Sequence, residues 1–142
     1  MKNLTSLLIA SLTFFTGSSF AQTKNVLFLG NSYTGVNNLP LLTYNLALSL
    51  GDTINYDSNT PGGYTYEGHS TNATSLTKIA QGDWDFVILQ EQSQKPSFPP
   101  SQVATEVYPY AQILVDSIKS ANVCGEPLFY MTWGRKNGDA GN

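Results

Sequence analysis

Ser32 is the side chain in this sequence best placed to do chemistry. An apolar run, Val26-Leu27-Phe28-Leu29, leads through Gly30 and Asn31 directly to it. In an open α/β sheet, ligands bind just beyond the carboxyl ends of the strands, so a serine two residues past Gly30 stands where a substrate would be met. A serine hydroxyl is a weak nucleophile. It needs a base within hydrogen-bond reach, and N–H donors for the charge that develops on the attacked oxygen. A helix starting nearby would offer such donors, because its first N–H groups have no partner within the helix. Two other readings of the turn fail on spacing. The residue two beyond Ser32 is Thr34, so this is not a Gly-x-Ser-x-Gly elbow. Neither a dinucleotide glycine fingerprint nor a Lys-Ser/Thr phosphate pair is present.

Other polar groups could join Ser32. His69 is the one histidine, and it follows Gly63-Tyr64-Thr65-Tyr66-Glu67-Gly68. As a base it would need Glu67 or Asp57 to orient it, but a single loop histidine beside acids more often lines a cleft or makes a structural hydrogen bond. Asp85 and Asp139 read as strand-start and loop residues. Tyr33, Tyr64, Tyr66 and Trp133 fall in loops around the expected cleft, where aromatic faces either stack on a sugar ring or cover the edge of the core. No cluster of His, Cys and acidic residues has metal-ligand spacing, so neither a metal nor a cofactor is expected.

The elements that must position these residues alternate in type. Asn25 to Leu29 is a continuous apolar strand of the kind a parallel sheet buries on both faces. Gly30 to Asn38 is a loop, and a helix follows over Leu39 to Leu50. Asn38 caps that helix, Pro40 sits in its first turn, and Gly51 lies just past its end. Leu42, Leu46 and Leu50, four apart, are expected to form its buried stripe. Thr53 to Tyr56 is a second strand, Asp57 to Gly63 a loop, Thr74 to Ala80 a short helix, and Trp84 to Gln90 a third strand. The prolines between Ser93 and Pro100 make that stretch a loop. Val103, Val107, Tyr110, Leu114, Ile118 and Ala121 mark a helix over Ser101 to Asn122, which Pro109 should kink or split. Leu128 to Thr132 is the fourth strand. Strands alternating with helices predict a parallel sheet in a three-layer α/β/α sandwich, one domain without internal repeat.

Residues 1–21 read as a secretory signal peptide. Lys2 supplies the positive start, Leu7 to Phe15 the apolar stretch, and Ser19-Phe20-Ala21 the small-x-small cleavage site. Too short and too interrupted for a membrane span, this stretch predicts a secreted or periplasmic protein with no stable membrane span after cleavage. The 142 residues carry a net charge of −3, and no basic patch exists to neutralise phosphates, so nucleic acid is not an expected partner. Charged residues make up only 12% while Asn, Gln, Ser, Thr and Tyr abound, a surface suited to export and to facing sugars. Cys124 is the one cysteine, so any disulfide partner would lie outside these residues.

Three blocks together resemble the SGNH/GDSL hydrolases. Gly30-Asn31-Ser32-Tyr33-Thr34 resembles their Gly-Asp-Ser block, with Asn31 in place of Asp. Pro61-Gly62-Gly63 falls where that superfamily has its glycine block, and Trp84 to Gln94 matches its third strand and the loop after it. The run Leu89-Gln90-Glu91-Gln92-Ser93-Gln94, which lacks the usual Gly-x-Asn-Asp, and the segment Thr132-Trp133-Gly134-Arg135-Lys136-Asn137-Gly138-Asp139 are similar to one bacterial branch. The resemblance extends from Val26 to Asn142. It implies that Ser32 is the nucleophile and that its own N–H is one oxyanion donor. Gly63 would give the second through its backbone, with Gly62 the alternative. The family's third donor is an asparagine side chain. Here a glutamine would stand in, Gln92 first and Gln90 or Gln94 otherwise. Tyr33, Tyr64, His69 and Trp133 would line a substrate cleft. The expected activity is hydrolysis of a small ester, such as an O-acyl group on a carbohydrate, through an acyl-Ser32 intermediate. The family's base is a histidine paired with an aspartate near the C-terminal end. No such pair occurs here, which reads as a C-terminally truncated piece that is itself a poor catalyst. The competing expectation is a non-catalytic glycan-binding domain on the same fold.

Overall fold

A computed structural model describes residues 22–132. The signal peptide and Trp133 lie outside the described residues. Within them are four strands, β1 (Thr23–Leu29), β2 (Thr53–Asn59), β3 (Phe86–Leu89) and β4 (Glu126–Phe129), and six helices. These are α1 (Ser32–Gly35), α2 (Leu39–Ser49), α3 (Tyr66–Thr71), α4 (Ala73–Ile79), α5 (Pro100–Glu106) and α6 (Tyr108–Ala121). All neighbouring strands pair parallel in the order β2-β1-β3-β4. Helices lie on both faces, giving the three-layer α/β/α arrangement that alternating elements predict.

β1 is the strand around which the layers form. Leu27 and Leu29 point to one face and join Leu89, Val87, Ile79, Val103, Val107, Leu114 and Ile118 in the larger core. Val26 and Phe28 point to the other, against Ile54 and the half-buried Tyr44 and Ala47 of α2. That two-sided burial is why β1 is uninterruptedly apolar rather than alternating. β2 pairs with β1 over seven positions, from Thr23 opposite Thr53 to Leu29 opposite Asn59, which carries β2 three residues past its expected end. Its polar ending is tolerated because Asn59 is held by side-chain hydrogen bonds rather than by apolar packing.

The loop expected over Gly30 to Asn38 holds α1, a turn of 3₁₀ helix at Lys95–Ser97 stands in the stretch expected as a loop, and β4 spans Glu126–Phe129 where the sequence predicts Leu128 to Thr132. Two further expectations change in physical detail. The leucine stripe of α2 faces outward: Leu42, Leu46 and Leu50 are 53%, 62% and 75% exposed. The face turned to the sheet carries Pro40, Tyr44 and Ala47 instead. With Leu at 39, 41, 42, 46, 48 and 50 the helix is apolar most of the way round, so spacing alone does not choose the packed side. The second change is at residues 60–71, where Tyr66–Thr71 forms a helix within a stretch the sequence leaves irregular. Thr65 caps it, its hydroxyl oxygen accepting from Gly68 N–H at 3.0 Å. Pro109 does split the long helix. It stands in the first turn of α6, where its missing N–H would have had no partner in any case. Cys124 is exposed and unpaired, and among the described residues no helix is long and apolar enough to cross a membrane.

Candidate active site

The carboxyl end of β1 is bound from both sides before it reaches Ser32. On one side stands Gln90, fully buried at the end of β3. Its Oε1 accepts from the Asn31 N–H at 3.0 Å and from the Thr34 hydroxyl at 2.9 Å, and its Nε2–H donates to the Glu91 carbonyl. On the other side stands His69, also without exposed surface. Its Nε2 lies 2.9 Å from the Gly30 carbonyl oxygen and its Nδ1 2.7 Å from Ser75 Oγ. A carbonyl can only accept, so Nε2 carries the proton and Nδ1 accepts from the Ser75 hydroxyl. Burial lowers the His69 pKa and so favours the neutral ring, an effect that the hydrogen bond to Gly30 opposes.

From His69 the hydrogen bonds run in a closed circuit. Ser75 Oγ accepts from Asn59 Nδ2 at 2.8 Å, and the same Nδ2 donates to Asn72 Oδ1 at 3.1 Å. Asn72 Nδ2 donates to the Tyr64 hydroxyl at 2.9 Å, and the Tyr64 carbonyl accepts from Asn31 Nδ2 at 2.8 Å. Asn31 is bonded to Gly30, where the circuit began. The Tyr64 ring meets the imidazole edge-on with centroids 5.0 Å apart. Inside this frame there is no room at Gly30: a Cβ there would lie 2.6 Å from Thr34 Oγ1 and 2.8 Å from Gln90 Oε1.

Asn31 then starts α1, its Oδ1 accepting from the Tyr33 N–H at 3.1 Å. Asn31 and Thr34 are buried, while Ser32 between them is exposed. Ser32 lies on a cavity of about 420 Å³ walled by Tyr33, Val36, Asn37, Leu39, Leu42 and Tyr130. Asn37 and Asn38 both have positive φ, 62° and 52°, conformations that asparagine adopts more readily than most residues. They turn the chain from the serine loop into α2.

The other expected site residues are placed differently. Gly63 occupies the third position of the turn closed by Tyr64 N–H to the Pro61 carbonyl, with φ +71°. Open space surrounds it, so the positive φ and not a close approach accounts for glycine there. Gly62 is likewise exposed. Gln92 turns its carboxamide onto its own loop: Oε1 accepts from Gln94 N–H at 2.8 Å and Lys95 N–H at 3.3 Å. Tyr64 is half-buried in the circuit, and His69, enclosed with both nitrogens engaged, makes the structural hydrogen bonds rather than lining a cleft. Of the named set, Ser32 and Tyr33 share the cavity; Gly63, Gln92, Tyr64 and His69 are not among its walls. Among the described residues no three His, Cys, Asp or Glu side chains group as a metal site.

Gln90 and Glu91 have larger structural parts than their sequence positions suggest. Glu91, 3% exposed, accepts the Tyr66 N–H on both oxygens at 3.2 Å and the Gln92 N–H on Oε1 at 2.6 Å, tying the end of β3 to the start of α3. Desolvation raises its pKa, opposed by those N–H donors and by Lys95. The one signal in the sequence is that polar residues follow a fully apolar strand without a break.

No protein-family model matches the chain, and neither a curated protein nor a solved structure does so. Fold and site by themselves define a parallel α/β/α protein with an exposed serine on a rigidly held turn at the carboxyl end of a central strand.

Proposed function

We propose that the chain carries the nucleophile half of an exported SGNH-type serine esterase, acting on a small ester such as an O-acyl group on a carbohydrate. The observation that supports this most is the contrast within one turn. Gly30, Asn31 and Thr34 are buried and bonded on two flanks, while the exposed Ser32 lines a cavity together with Tyr33. Rigid support of an exposed nucleophile is what acyl transfer needs, because misplacement by about 1 Å costs on the order of a hundredfold in rate. Ser32 would attack the ester carbonyl, expel the alcohol and hold the acyl group until water releases it.

The sequence's one histidine faces Gly30 and Ser75, not Ser32, so turnover by these 142 residues alone is expected to be slow. The same fact favours the second reading, a non-catalytic glycan-binding domain on this fold. Peptide mass spectrometry separates the two. With 4-nitrophenyl acetate, and imidazole supplied as external base, acetyl should accumulate on the peptide containing Ser32 and be lost in Ser32→Ala. Acetyl confined to lysines, and equal in both proteins, would leave the binding domain.

A further inference from the structure

A second cavity, of about 610 Å³, opens at the same end of the sheet. Its walls include the aromatic rings of Tyr66, Tyr108, Phe129 and Tyr130, with Val107 beside them. Tyr66 and Phe129 meet edge to face with centroids 6.0 Å apart, forming one corner. Tyr130 also walls the Ser32 cavity, so the two spaces adjoin. Among the described residues, Glu91 is the one lining the larger cavity that carries a formal charge.

Among the described residues that carboxylate has no ion-pair partner of its own. Its protein partners are two main-chain N–H groups, those of Tyr66 and Gln92. The cation that acts on it through space is Lys95, whose Nζ is committed to Glu67 at 3.9 Å and Glu106 at 3.8 Å. Glu67 pushes on it in the opposite sense. A carboxylate offers about four acceptor positions; among the described residues the Gln92 N–H goes to Oε1, and Oε2 receives only the shared Tyr66 N–H. A buried charge of this kind is costly unless paired, and acceptor capacity remains to pair it.

The ligand chemistry follows from the walls. An anion would meet Glu91 with like charge. A neutral apolar body would seal the carboxylate from water without compensating it. A bare metal ion would find one carboxylate where six or more oxygen ligands suit calcium. An organic cation satisfies both features, since ammonium groups are attracted to aromatic faces and pair with carboxylates. We propose that this cavity binds an organic monocation, a primary ammonium carried on a compact ring or apolar body, with the ammonium on Glu91 and the body among Tyr66, Tyr108, Phe129 and Tyr130. This is a statement about binding, and it holds whether or not Ser32 is a nucleophile.

The test is calorimetric titration of the 142-residue chain near neutral pH and low salt with benzylammonium chloride, and separately with the neutral benzyl alcohol. Benzylammonium should bind at least tenfold more tightly than the alcohol. Glu91→Gln, which keeps an acceptor oxygen for Gln92 N–H, should cut that preference to within about twofold. Tyr108→Ala, a change at an exposed ring, should weaken both ligands severalfold. Equal binding of the two ligands to the parent chain overturns the proposal, as does a preference that survives in a folded Glu91→Gln or no benzylammonium binding at all. Should Glu91→Gln lose its near-ultraviolet circular dichroism, the ligand preference of the parent and the loss in Tyr108→Ala decide the matter. Acetylation of Ser32 is read separately, so either result can fail without the other.

Discussion

His69 Nε2 donates to the Gly30 carbonyl at 2.9 Å, two residues ahead of Ser32. The histidine that the sequence offers as a possible base is spent on the backbone that carries Ser32. Its other nitrogen accepts from Ser75, so deprotonating Ser32 would require breaking one of two buried hydrogen bonds.

Replacing His69 by Phe should therefore cost stability. It leaves the Gly30 carbonyl and the Ser75 hydroxyl buried with a partner missing, at about 1–3 kcal/mol for each such group. Chemical denaturation should show a loss of about 3 kcal/mol, while a residue that merely lined a cleft would show almost none.

The same burial gives a pH signature. The unfolded chain takes up a proton on this histidine near the ordinary value of 6.5, whereas the folded chain does so only at lower pH. Below 6.5 the unfolded state binds more protons, so stability falls as pH drops toward the folded value and is regained above 6.5. The parent should lose stability through that window relative to His69→Gln, as measured by denaturant midpoints across pH. Parallel profiles would contradict the buried neutral ring.

Glu91 titrates with the opposite sign. Its folded pKa is raised by desolvation, so between 4.5 and that folded value the native state holds a proton that the unfolded state has released. Its contribution to stability declines as pH rises from 4.5 through the folded value. Glu91→Gln should flatten that decline and leave the protein at least as stable as the parent near pH 7, by thermal melts at matched pH.

At Gly30 the prediction is steric. Alanine would drive a methyl into Thr34 Oγ1 and Gln90 Oε1, both of which are held by hydrogen bonds. Overpacking of this kind typically costs about 1–3 kcal/mol. Urea denaturation of Gly30→Ala should show that loss, whereas Gly62→Ala, with open space around it, should stay within about 0.5 kcal/mol of the parent.

On α2 the direction reverses. Leu46 and Leu50 are largely exposed, so Leu46→Gln and Leu50→Gln should change stability by no more than about 0.5 kcal/mol. Tyr44→Ala, which strips the side chain packed on the Val26–Phe28 face and its contact with Tyr56, should cost about 2 kcal/mol or more in the same melts.

By itself the sequence determined the alternation of strands and helices, the parallel sheet, the break at Pro109 and the place of Ser32 beyond β1. Those follow from local signals: continuous apolar runs, helical spacing, and proline and asparagine at helix starts. Tertiary structure decided which side of α2 packs, because leucines at five of its positions leave the periodicity without a preferred face and the packing of Tyr44 and Ala47 against β1 selects one. It also decided the work of the polar residues. Gln90, Gln92, Asn31 and His69 each offer donors and acceptors that suit an oxyanion, a base or a turn equally well. Gln92 serves its own loop, but Gln90, Asn31 and His69 take partners 33 to 59 positions away, and long-range pairing of that kind leaves no mark in the sequence around each residue.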